Sequence, residues 1–322
     1  MTRASSSSPR SNGRCVPRSL VIGANGFIGV HLVEGLRRAG HEVTAFDRFS
    51  AGPRFGVDGV RIVRGEFLDR SALAGALDGQ DFVFHFVSTT TPATAEGDPT
   101  LDVRTNIAQS VDLLTLAVEA RVRHVYFAST GGAVYGPQGR DSYAEDTPAL
   151  PVSPYAIGKL TIEHYLRYFR HKHGLQSTAL RISNPYGPGQ HARRGQGLIP
   201  IALDRIIRDE EVVQFGDGSM IRDYLYVEDL VAMILRIVAA PIREHEVYNL
   251  GSGVGQSVSE TLATLREVTG IDFPVRVVPV PTTFVDRVVL DTARFRREFG
   301  ELELMPFEEG VRRTYEEARD AR

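Results

Sequence analysis

From residue 19 onward, short apolar runs alternate with longer segments of helical periodicity. Residues 20–22, 42–46, 60–63, 81–86, 124–128 and 178–182 have the length and the β-branched or aromatic content of strands. Between them, residues 27–39, 71–77, 101–120 and 154–173 space their apolar positions three and four apart, as one-sided helices do. Gly40 and Gly174 each follow such a segment, where helices commonly end on glycine. Strands alternating with helices predict a parallel sheet with right-handed crossovers, the doubly wound α/β (Rossmann) class.

Beyond residue 182 the rhythm loosens. Residues 184–197 are rich in Gly and Pro and carry His191, Arg193 and Arg194. A helix over 198–208 and a strand over 211–215 come next. A helix over 227–239 and a strand over 246–249 look like a return to the main sheet. A strand over 275–280 and helices over 291–298 and 307–318 complete the chain. The expected division is a sheet domain of residues 19–183 and 223–257, and a smaller interleaved lobe of 184–222 and 258–322. Residues 1–18, Ser- and Arg-rich, cannot bury enough apolar surface to offset ordering, and are expected to form a disordered tail without the apolar stretch of a secretory signal.

Composition narrows the function classes. Apolar residues at 42% and charged residues at 24% predict a globular core, and a net charge of −3 gives no overall pull toward nucleic acid or an anionic membrane. The expected partner is a small molecule held by local charges. One cysteine, Cys15, rules out an internal disulfide or a cysteine-built metal site and suits a reducing compartment, so a cytoplasmic location is expected, with no membrane span.

The first chemistry-bearing motif follows the first strand: Gly23-Ala24-Asn25-Gly26-Phe27-Ile28-Gly29, opening a helix. Glycines at this spacing allow a tight turn and let backbone N–H groups reach a pyrophosphate at the positive helix end. Asp47 ends the second strand, where a carboxylate can take both ribose hydroxyls, which favours NAD. A 2′-phosphate would face Asp47 with like charge, although Arg48 leaves NADP some room. The second motif is Tyr155-Ala156-Ile157-Gly158-Lys159. Residues i and i+4 share a helix face, so hydroxyl and ammonium can enter one cleft. A free tyrosine, with a pKa near 10, is too weakly acidic to act as a base at neutral pH. A lysine ammonium beside it favours the phenolate, which can take a proton from a substrate hydroxyl.

These motifs, in order with Gly65-Glu66-Phe67, His85-Phe86, Asn106, Ser129–Gly136, Arg181–Gly189, Gly216-Asp217-Gly218 and Arg222-Asp223-Tyr224, resemble the extended short-chain dehydrogenase/reductases. The resemblance covers about residues 19–318. Its nearest branch is the NAD-dependent sugar-nucleotide epimerase/dehydratase family, whose type member is UDP-galactose 4-epimerase. It implies that Glu66 and Phe67 border the adenine, that Phe86, Val87 and Ser88 line the cofactor channel, and that Asn106 lies near it. On the substrate side it implies that Asn184 bonds the diphosphate, that Leu198 and Phe215 flank the base, that Arg222 grips a phosphate, and that Asp286 matches the family's acid. It also implies a homodimer formed by the helices at 101–120 and 154–173.

Three departures stand out. The family's catalytic Ser or Thr falls on Gly131, leaving Thr130 or Ser129 to replace it. The small pair after His85-Phe86 becomes Val87-Ser88-Thr89-Thr90-Thr91, whose hydroxyls, Thr90 among them, either line the sugar pocket or cap the strand end. The second phosphate-binding arginine is missing near Thr282 and Thr283, with Arg287 as a candidate substitute. Family dehydratases carry an acidic pair where Gly131-Gly132 stand, and 3,5-epimerases use a cysteine. The expected reaction is therefore 4-epimerisation of a UDP-hexose, the nearest alternative is a 4-ketoreductase, and a remote alternative is a non-catalytic NAD sensor, against which the retained Tyr155 and Lys159 count. Arg193 and Arg194 in a basic loop could also meet a uronate carboxylate.

Overall fold

Apolar residues facing both ways along each strand need cover on both sheet faces, and the structure supplies two helical layers. The computed structural model describes residues 16–192, 196–281 and 283–320. Cys15 and most of the expected tail, the basic pair Arg193 and Arg194, and Thr282 lie outside the described residues. The first strand already opens at Arg18, inside the segment read as tail.

The elements run β1 (Arg18–Ile22), α1 (Phe27–Arg38), β2 (Glu42–Asp47), β3 (Arg61–Arg64), α2 (Arg70–Leu77) and β4 (Phe82–His85). Short helices α3 (Pro92–Gly97) and α4 (Pro99–Asp102) lead through a π-turn (Val103–Ile107) into α5 (Ala108–Glu119). Then come β5 (His124–Thr130), the one-turn α6 (Gly131–Val134), α7 (Pro154–His173), β6 (Gln176–Ile182), β7 (Asn184–Tyr186), α8 (Leu198–Ile207), β8 (Val212–Phe215) and β9 (Ile221–Tyr226). The chain ends with α9 (Val227–Ala239), β10 (Val247–Leu250), β11 (Gly255–Ser257), α10 (Val258–Thr269), β12 (Val275–Val278), β13 (Arg287–Val288), α11 (Ala293–Phe299) and α12 (Phe307–Asp320).

Seven of the described strands form one sheet in the order β10-β6-β5-β4-β1-β2-β3, every neighbouring pair parallel. This is the doubly wound α/β class expected. Strand order reverses between β1 and β4, so the ligand crevice of such sheets opens there, past the strands' carboxyl ends. Side-chain alternation sorts the core. Val21, Ala45, Phe84, Tyr126 and Leu180 pack with α1 and α9, whereas Leu20, Ile22, Phe46, Val83, Val125 and Phe127 pack with α2, α5 and α7. The return of β10 to pair with β6 agrees with the expectation. The second lobe is built on the sheet β11-β9-β13, with β7 beside β9, and on the pair β12-β8.

One expected helix, 101–120, is broken. Its π-turn carries a surplus residue per turn and rotates Asn106 inward, where it is buried and hydrogen-bonded to Thr90 and Asp102. Helix α10 was not expected, although Ser257 and Glu260 form a reciprocal capping box at its start, a local signal that could have found it. Helix α7 matches its expected limits because both ends are signalled. The Ser153 hydroxyl accepts the Ala156 N–H at 3.4 Å, Pro154 occupies the first turn, and Gly174 takes the left-handed conformation at φ 71°.

A buried polar network seats α7 on the sheet. Glu163 accepts from Arg181 Nη2 at 2.8 Å and Nε at 3.1 Å, and the Ser129 hydroxyl donates to the same carboxylate. Arg181 Nη1 donates to the Tyr135 hydroxyl at 3.2 Å, which donates to Asn249 Oδ1 at 2.6 Å. The pair is 7% and 6% exposed, so removing one member leaves a buried, uncompensated charge. Arg181→Met is expected to cost about 3–5 kcal/mol in urea unfolding, and Arg181→Met with Glu163→Leu clearly less. Equal losses in the single and double variants would contradict this account.

Candidate active site

The glycine loop forms a cradle that side chains would fill. Gly23 has φ +86°, and a Cβ there would lie 2.8 Å from the Phe86 carbonyl carbon and the Val87 nitrogen; at Gly29 it would lie 2.0 Å from Gly23 O. Helix α1 begins with no side-chain cap and no acid in its first turn, which leaves its amino-terminal N–H groups without a side-chain acceptor. That suits a pyrophosphate. Phe27 and Ile28 are half-buried behind the loop. Asp47 Oδ2 accepts the Asn25 N–H at 3.0 Å and Oδ1 accepts the Arg48 N–H at 2.7 Å, which holds the carboxylate at the end of β2; the Arg48 residue is exposed.

A contact not foreseen from sequence braces this cradle. Asn25 Nδ2 donates to Gly52 O at 2.9 Å, and its Oδ1 accepts the Arg54 N–H at 2.9 Å. The Arg54 guanidinium reaches across to Gly189 O at 2.7 Å, joining the glycine loop to the loop after β7. Glu66 is exposed beside β3's end, while Phe67 is buried against the His85 ring at 5.3 Å.

Tyr155 and Lys159 stand one turn apart on α7, as the spacing required. Lys159 is 8% exposed; its Nζ donates to Ala128 O at 2.8 Å and lies 4.8 Å from the Phe127 ring centre and 5.7 Å from that of Tyr155. Desolvation pulls its ammonium down to about 8, against the pull of Asp102 and Glu163. Tyr155 is pushed up to about 12, first by desolvation and then by the Asp102 charge. The free protein therefore holds a neutral phenol beside a cation. A small cavity of about 10 Å³ is lined by both, with Asp102, His85, Asn106 and Gly158. The chain has two lysines, and Lys159 is one of them; every other Lys/Arg cation is arginine. A compact ammonium fits the short bond to Ala128 O, where a planar guanidinium would not.

The hydroxyl-rich segment after β4 is tied inward. The Thr90 hydroxyl is buried and donates to Asp102 Oδ1 at 2.6 Å, the Ser88 hydroxyl donates to Thr90 O at 2.8 Å, and Asn106 Oδ1 accepts the Thr89 N–H at 3.0 Å. Of the two readings of this segment, these bonds match the strand-end cap.

At the end of β5 the candidate hydroxyls separate. Ser129 faces α7 and is engaged by Glu163. Thr130 is half-buried, and its hydroxyl makes no hydrogen bond among the described residues. A Cβ on Gly131 would lie 2.5 Å from Leu290 Cδ1 and 3.0 Å from Arg181 O, which explains why this chain carries no side chain at the family's usual position.

On the substrate side, Asn184 Nδ2 donates to Asp223 O at 3.1 Å, and the Asn184 side chain lies beside Gly132. Leu198 opens α8 and packs on the second lobe's core. Phe215 is exposed and meets Phe284 edge-on at 5.5 Å. Arg222 is half-buried, with Nη1 donating to Ile221 O at 2.8 Å, and burial lowers its pKa; Asp286 is exposed beside it. Arg287 does not stand in for the missing arginine, because its guanidinium is turned to Asp141, donating to the carbonyl at 3.1 Å.

The model of the NAD dependent epimerase/dehydratase family matches residues 19–251. The chain belongs to the NAD dependent epimerase/dehydratase family. It is an NAD-dependent enzyme of the extended short-chain dehydrogenase/reductase type. Within the family it is similar to a protein of Mycolicibacterium smegmatis named UDP-glucose 4-epimerase, 31% identical over 307 residues, covering 93% of this chain and 97% of that one. Its fold is similar to the crystal structure of UDP-glucose 4-epimerase with UDP-glucose from Thermotoga maritima, with TM-score 0.88, 33% identity, and coverage of 94% and 99%. It is also similar to a dTDP-glucose 4,6-dehydratase from Streptomyces venezuelae crystallised with NAD, with TM-score 0.86, 29% identity, and coverage of 94% and 97%.

Since a methyl at residue 29 would collide with backbone rather than with a movable side chain, Gly29→Ala is expected to lose bound NAD. Absorbance of the protein as purified, and calorimetric titration with NAD, check this; undiminished NAD content would refute the cradle.

Proposed function

We propose that the chain is a nucleotide-sugar 4-epimerase acting on a UDP-hexose, by reversible oxidation at C4 through a 4-keto sugar. The observation that carries this reading is the side-chain-free Gly131-Gly132 at the end of β5. Elimination of water needs an acid and a base poised at the sugar, and the acids nearest Tyr155 are committed elsewhere. Asp102 is bonded to Thr90 and Asn106, and Glu163 to Arg181 and Ser129. The names of the M. smegmatis and T. maritima relatives support UDP-glucose as one partner of the reaction.

NAD, when bound, supplies reversible two-electron oxidation at a carbinol carbon. The loop of Gly23, Gly26 and Gly29 would hold its pyrophosphate and Asp47 its ribose. Tyr155 takes the C4 hydroxyl proton and later returns it. Lys159 holds that phenol's ionised form. Thr130, not Ser129, is the hydroxyl we assign beside Tyr155: Ser129 is occupied by Glu163, and Thr130 is the last residue of β5, where the strand opens on the crevice. Asn184 and Arg222 take the diphosphate, and Leu198 and Phe215 the base, which leaves room for the keto sugar to turn over. We assign residues 184–222 and 258–322 to this substrate lobe, together with β9 and β11, which complete its sheet.

The decisive assay incubates the protein, with no added cofactor, with UDP-glucose and follows UDP-galactose by chromatography. Interconversion is expected, with Tyr155→Phe slower by about 10²–10⁴-fold and Thr130→Val also slowed. Stoichiometric consumption of added NADH or NADPH would instead identify a ketoreductase, and full turnover by Thr130→Val would remove Thr130 from the mechanism.

We also infer a homodimer through α5 and α7. Between these helices lies a groove of about 510 Å³ lined by Val111, Val118, Tyr165 and Tyr168, and both tyrosines are well exposed for aromatic residues. Tyr168→Glu is expected to convert the dimer to monomer in sedimentation analysis. A wild type that sediments as a monomer would contradict the inference.

A further inference from the structure

Asp102 has no place in the cofactor cradle or the substrate crevice, yet it is a charged group fixed beside the catalytic pair. It is 3% exposed. Its Oδ1 accepts from Thr90 Oγ1 at 2.6 Å and from Asn106 Nδ2 at 2.7 Å. Asn106 is itself pinned by Thr89, so the carboxylate cannot turn without breaking the whole cluster. Neutral donors alone compensate a buried carboxylate poorly; a nearby cation is needed. Lys159 is that cation, lining the same small cavity. The helix is cut away to admit the acid: a Cβ on Gly158, the residue before Lys159, would lie 2.0 Å from Asp102 Oδ2.

We propose that Asp102 is a positioning residue, a locked counter-charge admitted by the bare Gly158, which keeps Lys159 an ammonium within the catalytic cavity. This rests on the reading of Tyr155 and Lys159 as the catalytic pair. The titratable groups facing Lys159 are Tyr155 and Glu163 on α7, Asp102 from α4 and His85 from β4. Glu163 is shared with Arg181 and Ser129. His85 is neutral, since desolvation, then Lys159, pushes it down to about 3. Tyr155 is un-ionised in the free protein. Asp102 is therefore the negative charge that Lys159 does not share with another cation. Its sign fixes the direction of its effects. It raises Lys159, already pulled down to about 8 by desolvation, and it opposes ionisation of Tyr155. An ammonium is present below its pKa and lost above it, so without Asp102 Lys159 discharges at lower pH, and Tyr155 ionises at lower pH as well.

The scarcity of lysine makes the effect directly visible. With ¹³Cε-labelled lysine, the protein as purified with its cofactor gives two side-chain NMR signals, from Lys159 and Lys172, and Lys172→Arg assigns them. In Asp102→Asn the Lys159 midpoint is expected to fall by about one pH unit or more, and the alkaline limb of the pH–rate profile to move with it. A purely structural role for Asp102 would lower activity or melting temperature and leave the midpoint in place. That result overturns the proposal. Gly158→Ala, whose methyl displaces the carboxylate, provides a second test should Asp102→Asn not fold: its Lys159 midpoint is expected to fall too, and an unmoved midpoint in the folded variant is equally fatal. A midpoint shift in a protein that does not epimerise UDP-sugars would leave this proposal standing and remove the proposed reaction instead.

Discussion

The ion pair between Glu163 and Arg181 sets where the helix carrying Tyr155 and Lys159 lies. Glu163 sits one turn beyond Lys159 on α7, and Arg181 lies on β6, so their bond sets the height of the helix over the sheet. Ser129 joins the same carboxylate from β5, and Tyr135 and Asn249 carry the network to β10. Three parallel strands thus share one charged anchor. Buried pairs of this kind add little net stability compared with apolar packing. Their value here is geometric: a helix shifted by one residue would carry the Tyr155 hydroxyl out of the cleft.

Around that anchor, charge is distributed with opposite needs. Desolvation disfavours the charged form of both groups, pulling Lys159 down and pushing Tyr155 up. Asp102 and Glu163 counter the first tendency, and in the proposed reaction the positive charge of bound NAD would counter the second. A chain that uses arginine for nearly every other cation keeps lysine where the group must be small, singly directed and close to an ionising phenol.

Much of this was legible in the sequence where the determining signals are local. Helix α7 has its serine cap, its proline and its terminal glycine within the segment itself. Helix α9 carries a broad apolar stripe, and its limits match those expected. The tight glycine turn between β1 and α1, with Asp47 beside it, was readable because glycine spacing, strand and acid follow each other within thirty residues or so. What escaped depends on contacts between distant segments. Asp102 looks like an ordinary helical acid until Thr90, Asn106 and Gly158 close around it. Arg54 reads as a surface arginine in a loop until Gly189 arrives from the far side of the crevice. The π-turn at Val103–Ile107 is invisible to a 3.6-residue period because its apolar residues still repeat at helical spacing.

The late return of α9 and β10 bears on how the chain is made. Leu32, Val33 and Leu36 of α1 are covered by Leu230, Val231 and Ile234 of α9, and β6 gains its outer neighbour only with β10. A ribosome adding ~5–20 residues per second leaves the greasy face of the nucleotide-binding half without its cover for seconds after β6 emerges. A fragment ending near residue 183 would keep that face bare permanently. The sheet domain is thus not a contiguous module: the chain must run through α8, β8 and β9 before α9 and β10 complete the sheet.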